Sequence, residues 1–310
     1  MSLTVENNIL MKNGKPFFYL ADTCWSAFTN ITDNDWDYYL DYRKSQGFNT
    51  LQINILPQWD ASATDLCYEP FEVVDGKYNY KKLNLSYFDH ADKMCARAKE
   101  KGFELALVVM WCNFVPDTWA SQFYSKGVMP IDCIENYINI VHETFTKYDP
   151  LYVISGDTDF NTDLCIEHYV KCAKQLKELA PHCLYTTHIK GRYTYIPDDL
   201  YSYLDLCFYQ SGHNAQNLAM PYLLAEEMID KYKGKPVINS EPCYEDMGYS
   251  RQMYGRWSKE DIIRAAWMSL LSGAGAGITY GAAGIYSWHS TNKGFEASLG
   301  EGFATPKCWQ

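Results

Sequence analysis

Two short apolar runs in this chain each end in an acid. Tyr152-Val153-Ile154-Ser155-Gly156-Asp157 is the first, and Pro236-Val237-Ile238-Asn239-Ser240-Glu241-Pro242 ends 84 residues later. Such a run reads as a parallel strand buried on both faces, with an acidic side chain delivered at its end. Two acids at the same end of one barrel suit a reaction that needs a proton donor and an anion together. One protonates a leaving oxygen, and the other attacks a carbon or activates water, which is what glycoside cleavage requires. Glu241 suits the nucleophile, because Pro242 fixes the backbone behind it, and Asp157 suits the acid/base. The bland alternatives are an N-cap or ion pair for Glu241 and a self-bonded turn for Asp157 within Gly-Asp-Thr-Asp. Asp159 and Glu245 are the respective substitutes.

The other strand ends are polar and aromatic. Asp22, Trp25, Asn54, Trp111, His188, Gln210, His213, Tyr244, Glu245, Tyr280 and Trp288 are the candidate substrate-binding residues. Carboxylates and amides pair with sugar hydroxyls, and indoles cover the apolar faces of sugar rings. Core packing is the competing account of the tryptophans. His188, His213 and His289 raise a rival, a metal-dependent barrel hydrolase. Such an enzyme also needs a His-x-His pair at its first strand, and that strand reads Leu20-Ala21-Asp22-Thr23. The expectation is therefore no metal and no other cofactor. No phosphate loop, Gly-x-Ser-x-Gly elbow or Cys-x-x-Cys pair offers different chemistry.

These residues need a frame that gathers strand ends. Eight apolar runs serve: Phe17 to Asp22, Thr50 to Ile55, Glu104 to Trp111, Leu151 to Gly156, Leu184 to His188, Leu206 to Gln210, Pro236 to Ser240 and Gly277 to Tyr280. Helical patterns separate them at Asp33 to Gln46, Leu85 to Lys101, Ile131 to Lys147, Thr162 to Ala180, Pro221 to Tyr232 and Lys259 to Ser272, with a short turn near Asp199 to Leu204. Cys165, Tyr169, Cys172, Leu176 and Leu179 recur at spacings of four and three, giving one apolar helix face. Gly47 and Gly102 stand where a left-handed helix cap falls, directly before the next strand. Strand and helix in strict alternation imply a parallel sheet, and eight units close into a (β/α)8 TIM barrel with its site at the strand ends. An open doubly wound sheet is the alternative, but the first turn, Asp22-Thr23-Cys24-Trp25, lacks the glycines that such a sheet uses there. Gly284 to Gln310 has no amphipathic pattern, so the last barrel helix is expected to be missing or irregular.

Length and charge narrow the partners. A chain of 310 residues with 47% hydrophobic residues and no low-complexity linker reads as one catalytic domain over 1–310. A net charge of −11 without a basic cluster argues against nucleic acid and anionic membranes and favours a neutral, carbohydrate-like ligand. The 11 cysteines are odd in number and scattered through strands and helices, as free buried thiols in a reducing compartment would be. The amino terminus is neither basic nor apolar, and no run is long enough to span a bilayer. A soluble cytoplasmic protein is the expectation.

Six ordered stretches resemble the apiosidase-like glycoside hydrolases: Asn13 to Trp25, Gln46-Gly47-Phe48-Asn49, Ile154-Ser155-Gly156-Asp157, Tyr209-Gln210-Ser211-Gly212-His213, Asn239 to Glu245 and Gly273 to Gly281. The resemblance implies a (β/α)8 barrel and a retaining mechanism on plant cell-wall, pectic sugars. It also implies Asp157 as acid/base and Glu241 as nucleophile, the two residues that strand position selects. Ser155 stands where the family more often has glycine. The family also continues past Trp309-Gln310 into a final helix and often a β domain, which implies a truncated or degenerate member. The rival from another class is a barrel that binds glycans without cleaving them, but such a protein has no reason to keep two acids at strands four and seven.

Overall fold

The computed structural model describes residues 2–251, 253–289 and 293. Eight parallel strands form a nearly closed barrel: β1 Tyr19–Thr23, β2 Thr50–Asn54, β3 Glu104–Trp111, β4 Leu151–Gly156, β5 Leu184–Thr186, β6 Cys207–Tyr209, β7 Val237–Asn239 and β8 Gly277–Tyr280. Their order around the sheet is β5-β4-β3-β2-β1-β8-β7-β6. Between β5 and β6 the ladder gives way to the Asp205 N–H on the Tyr185 carbonyl, 2.8 Å, and the Thr186 hydroxyl on the Leu206 carbonyl, 2.9 Å. Helices lie between the strands: α1 Asp33–Ser45, α2 Leu85–Glu100, α3 Ile134–Phe145, α4 Asp163–Leu179, the short α5 Asp198–Tyr201, α6 Met220–Lys231 and α7 Lys259–Leu271. The segment expected to lack a regular last helix, Gly284 to Gln310, lies outside the described residues from Ser290 onward, Lys293 apart.

Local chemistry explains the boundaries. The Thr162 hydroxyl accepts from the Cys165 N–H to start α4, and Ser258 and Asp261 form a reciprocal capping box on α7. Gly47 and Gly102 do adopt positive φ, +93° and +81°, where the chain leaves α1 and α2 for the next strand. Cys165, Tyr169, Cys172 and Leu176 are fully buried against the barrel, whereas Leu179 at the frayed end of α4 is 38% exposed. All ten described cysteines are free, and Cys67 alone among them is exposed. No described helix is long and apolar enough to cross a membrane.

Two antiparallel pieces were not anticipated by the strand reading. Leu3–Glu6, Ile9–Lys12 and Lys15–Pro16 form a small three-stranded sheet, and Phe71–Val74 pairs with Lys77–Leu83 in the loop after β2. Their turns are Asn7-Asn8, Asn13-Gly14 and Asp75-Gly76, and every one of these residues has positive φ. That pattern is the two-residue hairpin turn whose twist matches its strands.

Candidate active site

The C-terminal ends of the strands open into a cleft of about 620 Å³, within the usual range for a small-molecule site. Its walls include Asp157, Glu241, Trp25, Trp111, Gln210, His213 and Tyr244 from the sequence-predicted set. The two acids therefore share one cavity.

Glu241 follows β7 and is 8% exposed. The His213 ring nitrogen Nε2 lies 2.8 Å from its Oε1, and His188 Nε2 lies 3.0 Å from its Oε2. Among the described residues, nothing bonds the buried Nδ1 of His213, so its ring meets a partner through Nε2 alone. His188 Nδ1 sits 2.9 Å from the Ser240 hydroxyl. Burial alone would raise the Glu241 carboxyl, but donation from His188 and His213 overcomes it and holds the group down at about 2. Glu241 is ionised and fixed through both oxygens.

Asp157, just beyond β4, has the opposite environment. Burial pushes its carboxyl well above the usual carboxylate range, the charge of Glu241 adds to this, and a hydrogen bond from Gln210 opposes it. Gln210 Nε2 donates to Oδ1 over 2.8 Å, which leaves Oδ2 to carry the proton. Asp157 sits at φ +50°, and the Trp119 indole N–H holds its carbonyl at 2.8 Å. Gly156 must precede it. A Cβ there would come within 2.1 Å of the Trp111 ring, so the missing side chain lets the indole lie against the strand end. Trp111 in turn stacks on His188 at 5.5 Å and meets Trp25 at 5.1 Å, so aromatic packing links both acids' supports. The environments thus shift the two carboxyls in opposite directions, the asymmetry that a pairing of acid and nucleophile calls for.

The architecture and site now have counterparts among known proteins. The family model described as "Apiosidase-like, catalytic domain" matches residues 5–310. The chain belongs to the apiosidase-like family. In structure this apiosidase-like barrel is similar to a glycoside hydrolase family 5 protein from Bacteroides vulgatus ATCC 8482 (TM-score 0.81, 25% identity), over 99% of this chain and 67% of that one. A further glycoside hydrolase superposes with TM-score 0.81 at 24% identity, over 99% and 70% of the two chains. The endo-1,4-beta-mannanase of Rhizomucor miehei shares the fold at 11% identity, TM-score 0.60, over 90% of each chain. No protein of curated function matches in sequence. The apiosidase-like chain is a glycosidase on a TIM barrel, with carbohydrate as its substrate class.

Several expected contact residues in this glycosidase do not line the cleft. Asp22 is fully buried and pairs with Arg43 at 2.6 Å and with the Tyr39 hydroxyl. The Arg43 guanidinium also packs over Phe48 and Tyr280 at 5.3 Å, the Tyr280 hydroxyl donates to Glu245 at 2.7 Å, and Trp288 meets Tyr39 edge-on. Asp22, Glu245, Tyr280 and Trp288 thus belong to a partly buried scaffold around Arg43, because a desolvated guanidinium needs both an anion and ring faces. Asn54 holds Gln58 at 3.2 Å, and His188 holds Glu241 from behind. Conversely, Gln58, Trp59, Asp60, Trp119, Lys190, Arg192, Arg251 and Tyr286 line the cleft from loops, where no strand pattern marks them.

Proposed function

We propose that the protein is a retaining glycoside hydrolase acting on pectic, plant cell-wall oligosaccharides, with Glu241 as nucleophile and Asp157 as acid/base. The observation that carries the reading is two acids in one cleft with opposed surroundings: two imidazoles bond Glu241, whereas burial and the charge of Glu241 push Asp157 up. Asp157 protonates the glycosidic oxygen as Glu241 attacks the anomeric carbon, giving a glycosyl ester on Glu241. Esterification removes the charge that helped raise Asp157. Its carboxyl then falls back toward the ionised form, ready to take a proton from the water that hydrolyses the ester.

The pectic part rests on two cationic side chains in the cleft wall, Arg192 and Arg251. Lys190 is neutralised by Asp159 at 2.8 Å, but Arg192 and Arg251 form no ion pair among the described residues. Burial and the charge of Arg251 both lower Arg192, and its Nε is bonded by nothing described. Arg192 Nη2 already donates to the Asn214 and Asn217 carbonyls, but neither guanidinium has a described anion, and two of them in one cleft favour a carboxylate, such as that of a uronic acid, over the neutral ligand that composition alone favoured. Incubation with pectin-derived oligosaccharides, followed by NMR of the first-formed product, tests both parts. Release of a sugar with the substrate's anomeric configuration is expected. An inverted product would remove the nucleophile role, and cleavage of neutral chains only would remove the pectic one.

A further inference from the structure

A third acid shares the cleft. Asp60 lies in the loop after β2, is 6% exposed, and lines the same cavity as Glu241 and Tyr286. No described residue bonds its buried Oδ1, and no described cation pairs with it. The loop beneath it is pinned. The Ala61 N–H closes a turn on the Gln58 carbonyl at 3.3 Å, the Asn30 amide donates to the Ser62 carbonyl at 2.7 Å, and the Ser62 hydroxyl meets His289 Nδ1 at 2.8 Å. A buried acceptor left unbonded costs about 1–3 kcal/mol, and nothing in the scaffold uses this one. Burial pushes the carboxyl up to about 7, with Gln58 opposing and Glu241 adding to the shift while His213 opposes it. Glu241 acts on Asp60, and Asp60 in turn acts on Asp157, so the third acid stands within electrostatic reach of both.

We propose that the Asp60 carboxyl, where it lines the cleft, accepts a hydrogen bond from one ring hydroxyl of the sugar bound beside Asp157 and Glu241, and so selects which sugar is cleaved. The inference rests on the glycosidase reading and adds to it a residue that recognises the glycone. A hydroxyl supplies a donor to the cleft-lining carboxyl without bringing a new charge beside Glu241, and the Tyr286 ring in the same wall suits a sugar neighbour.

The test uses 4-nitrophenyl glycosides of common pentoses and hexoses, and then the monodeoxy analogues of the one that the wild type cleaves fastest. Assayed at pH 8, where Asp60 is ionised, Asp60→Ala should lower kcat/KM on the parent by about 10- to 100-fold, the value of a hydrogen bond to a charged group. It should cost almost nothing on one analogue, the one lacking the recognised hydroxyl. A loss equal across every analogue, or no loss on the parent, overturns the proposal, and thermal melts of Asp60→Ala and Asp60→Asn separate misfolding from lost contact. Should the wild type cleave none of these glycosides, the glycosidase reading is what fails. Asp60 is then judged by saturation-transfer NMR with the free monosaccharides. Transfer that disappears in Asp60→Ala supports the contact, and unchanged or absent transfer overturns it.

Discussion

Asp157 and Glu241 are chemically similar side chains made different by their neighbours, and each neighbour can be removed separately. Asp157→Ala should cost about 10²- to 10⁴-fold in kcat on glycosides with alkyl leaving groups, which need protonation to depart. The same variant should lose far less on a 2,4-dinitrophenyl glycoside, whose phenolate leaves unaided, and azide should rescue its slow second step. Equal losses on both substrates would move the acid role elsewhere, with Asp159 the first candidate. His213→Ala tests the other acid. It removes one of two N–H donors that hold Glu241 at about 2, so the carboxyl rises toward its ordinary value. Because only ionised Glu241 attacks, activity is lost as pH falls through its pKa. The acid limb of the kcat/KM profile should therefore move to higher pH by about one unit in His213→Ala. An unmoved limb would mean that His213 is not a donor to Glu241.

At the scale of elements, how plainly the sequence spoke depended on burial. Within Glu104–Trp111 and Leu151–Gly156, the stretches 105–111 and 151–154 stood out as apolar runs because both faces of a barrel strand are covered. Asp157 and Glu241 were legible for the same reason, as the first acids beyond such runs. The hairpin Phe71–Leu83 was equally legible in principle, since Val73-Val74-Asp75-Gly76-Lys77-Tyr78 carries a hairpin turn between alternating residues. Strand-end position alone misplaced Asp22 and Tyr280, because it cannot tell which way a side chain turns, and Arg43 on α1 claims both. Loop residues leave no periodic trace, so Arg192 and Arg251 emerged only from the fold. Their role gives an element-scale prediction. Arg192→Gln and Arg251→Gln should each reduce kcat/KM on uronate-containing oligosaccharides by about tenfold or more, the value of a charge-assisted hydrogen bond, and added salt should shrink the difference. Neutral aryl glycosides should be cleaved at nearly the wild-type rate. An equal loss on both would assign the arginines to loop structure instead.

For the whole molecule, the site costs stability that the barrel supplies, and pH shows how much. Asp60 has its carboxyl near 7 in the folded protein, against an ordinary value of 3.8 in the unfolded chain. Below about pH 4 the group is protonated in both states and adds no pH dependence. Between about 4 and 7 the unfolded chain releases the proton while the folded protein keeps it, so stability falls by roughly 1.4 kcal/mol for each pH unit. Above 7 both states are ionised and the loss levels off, with a ceiling of about 4 kcal/mol. Asp60→Asn never ionises and escapes that loss. Its melting temperature relative to wild type should therefore climb between pH 4 and pH 7 and stay level to pH 8, a stabilisation obtained by giving up the recognising carboxylate. Melts at pH 4, 6 and 8 read this directly. A difference that is the same at all three values would show that the folded protein does not hold Asp60 protonated.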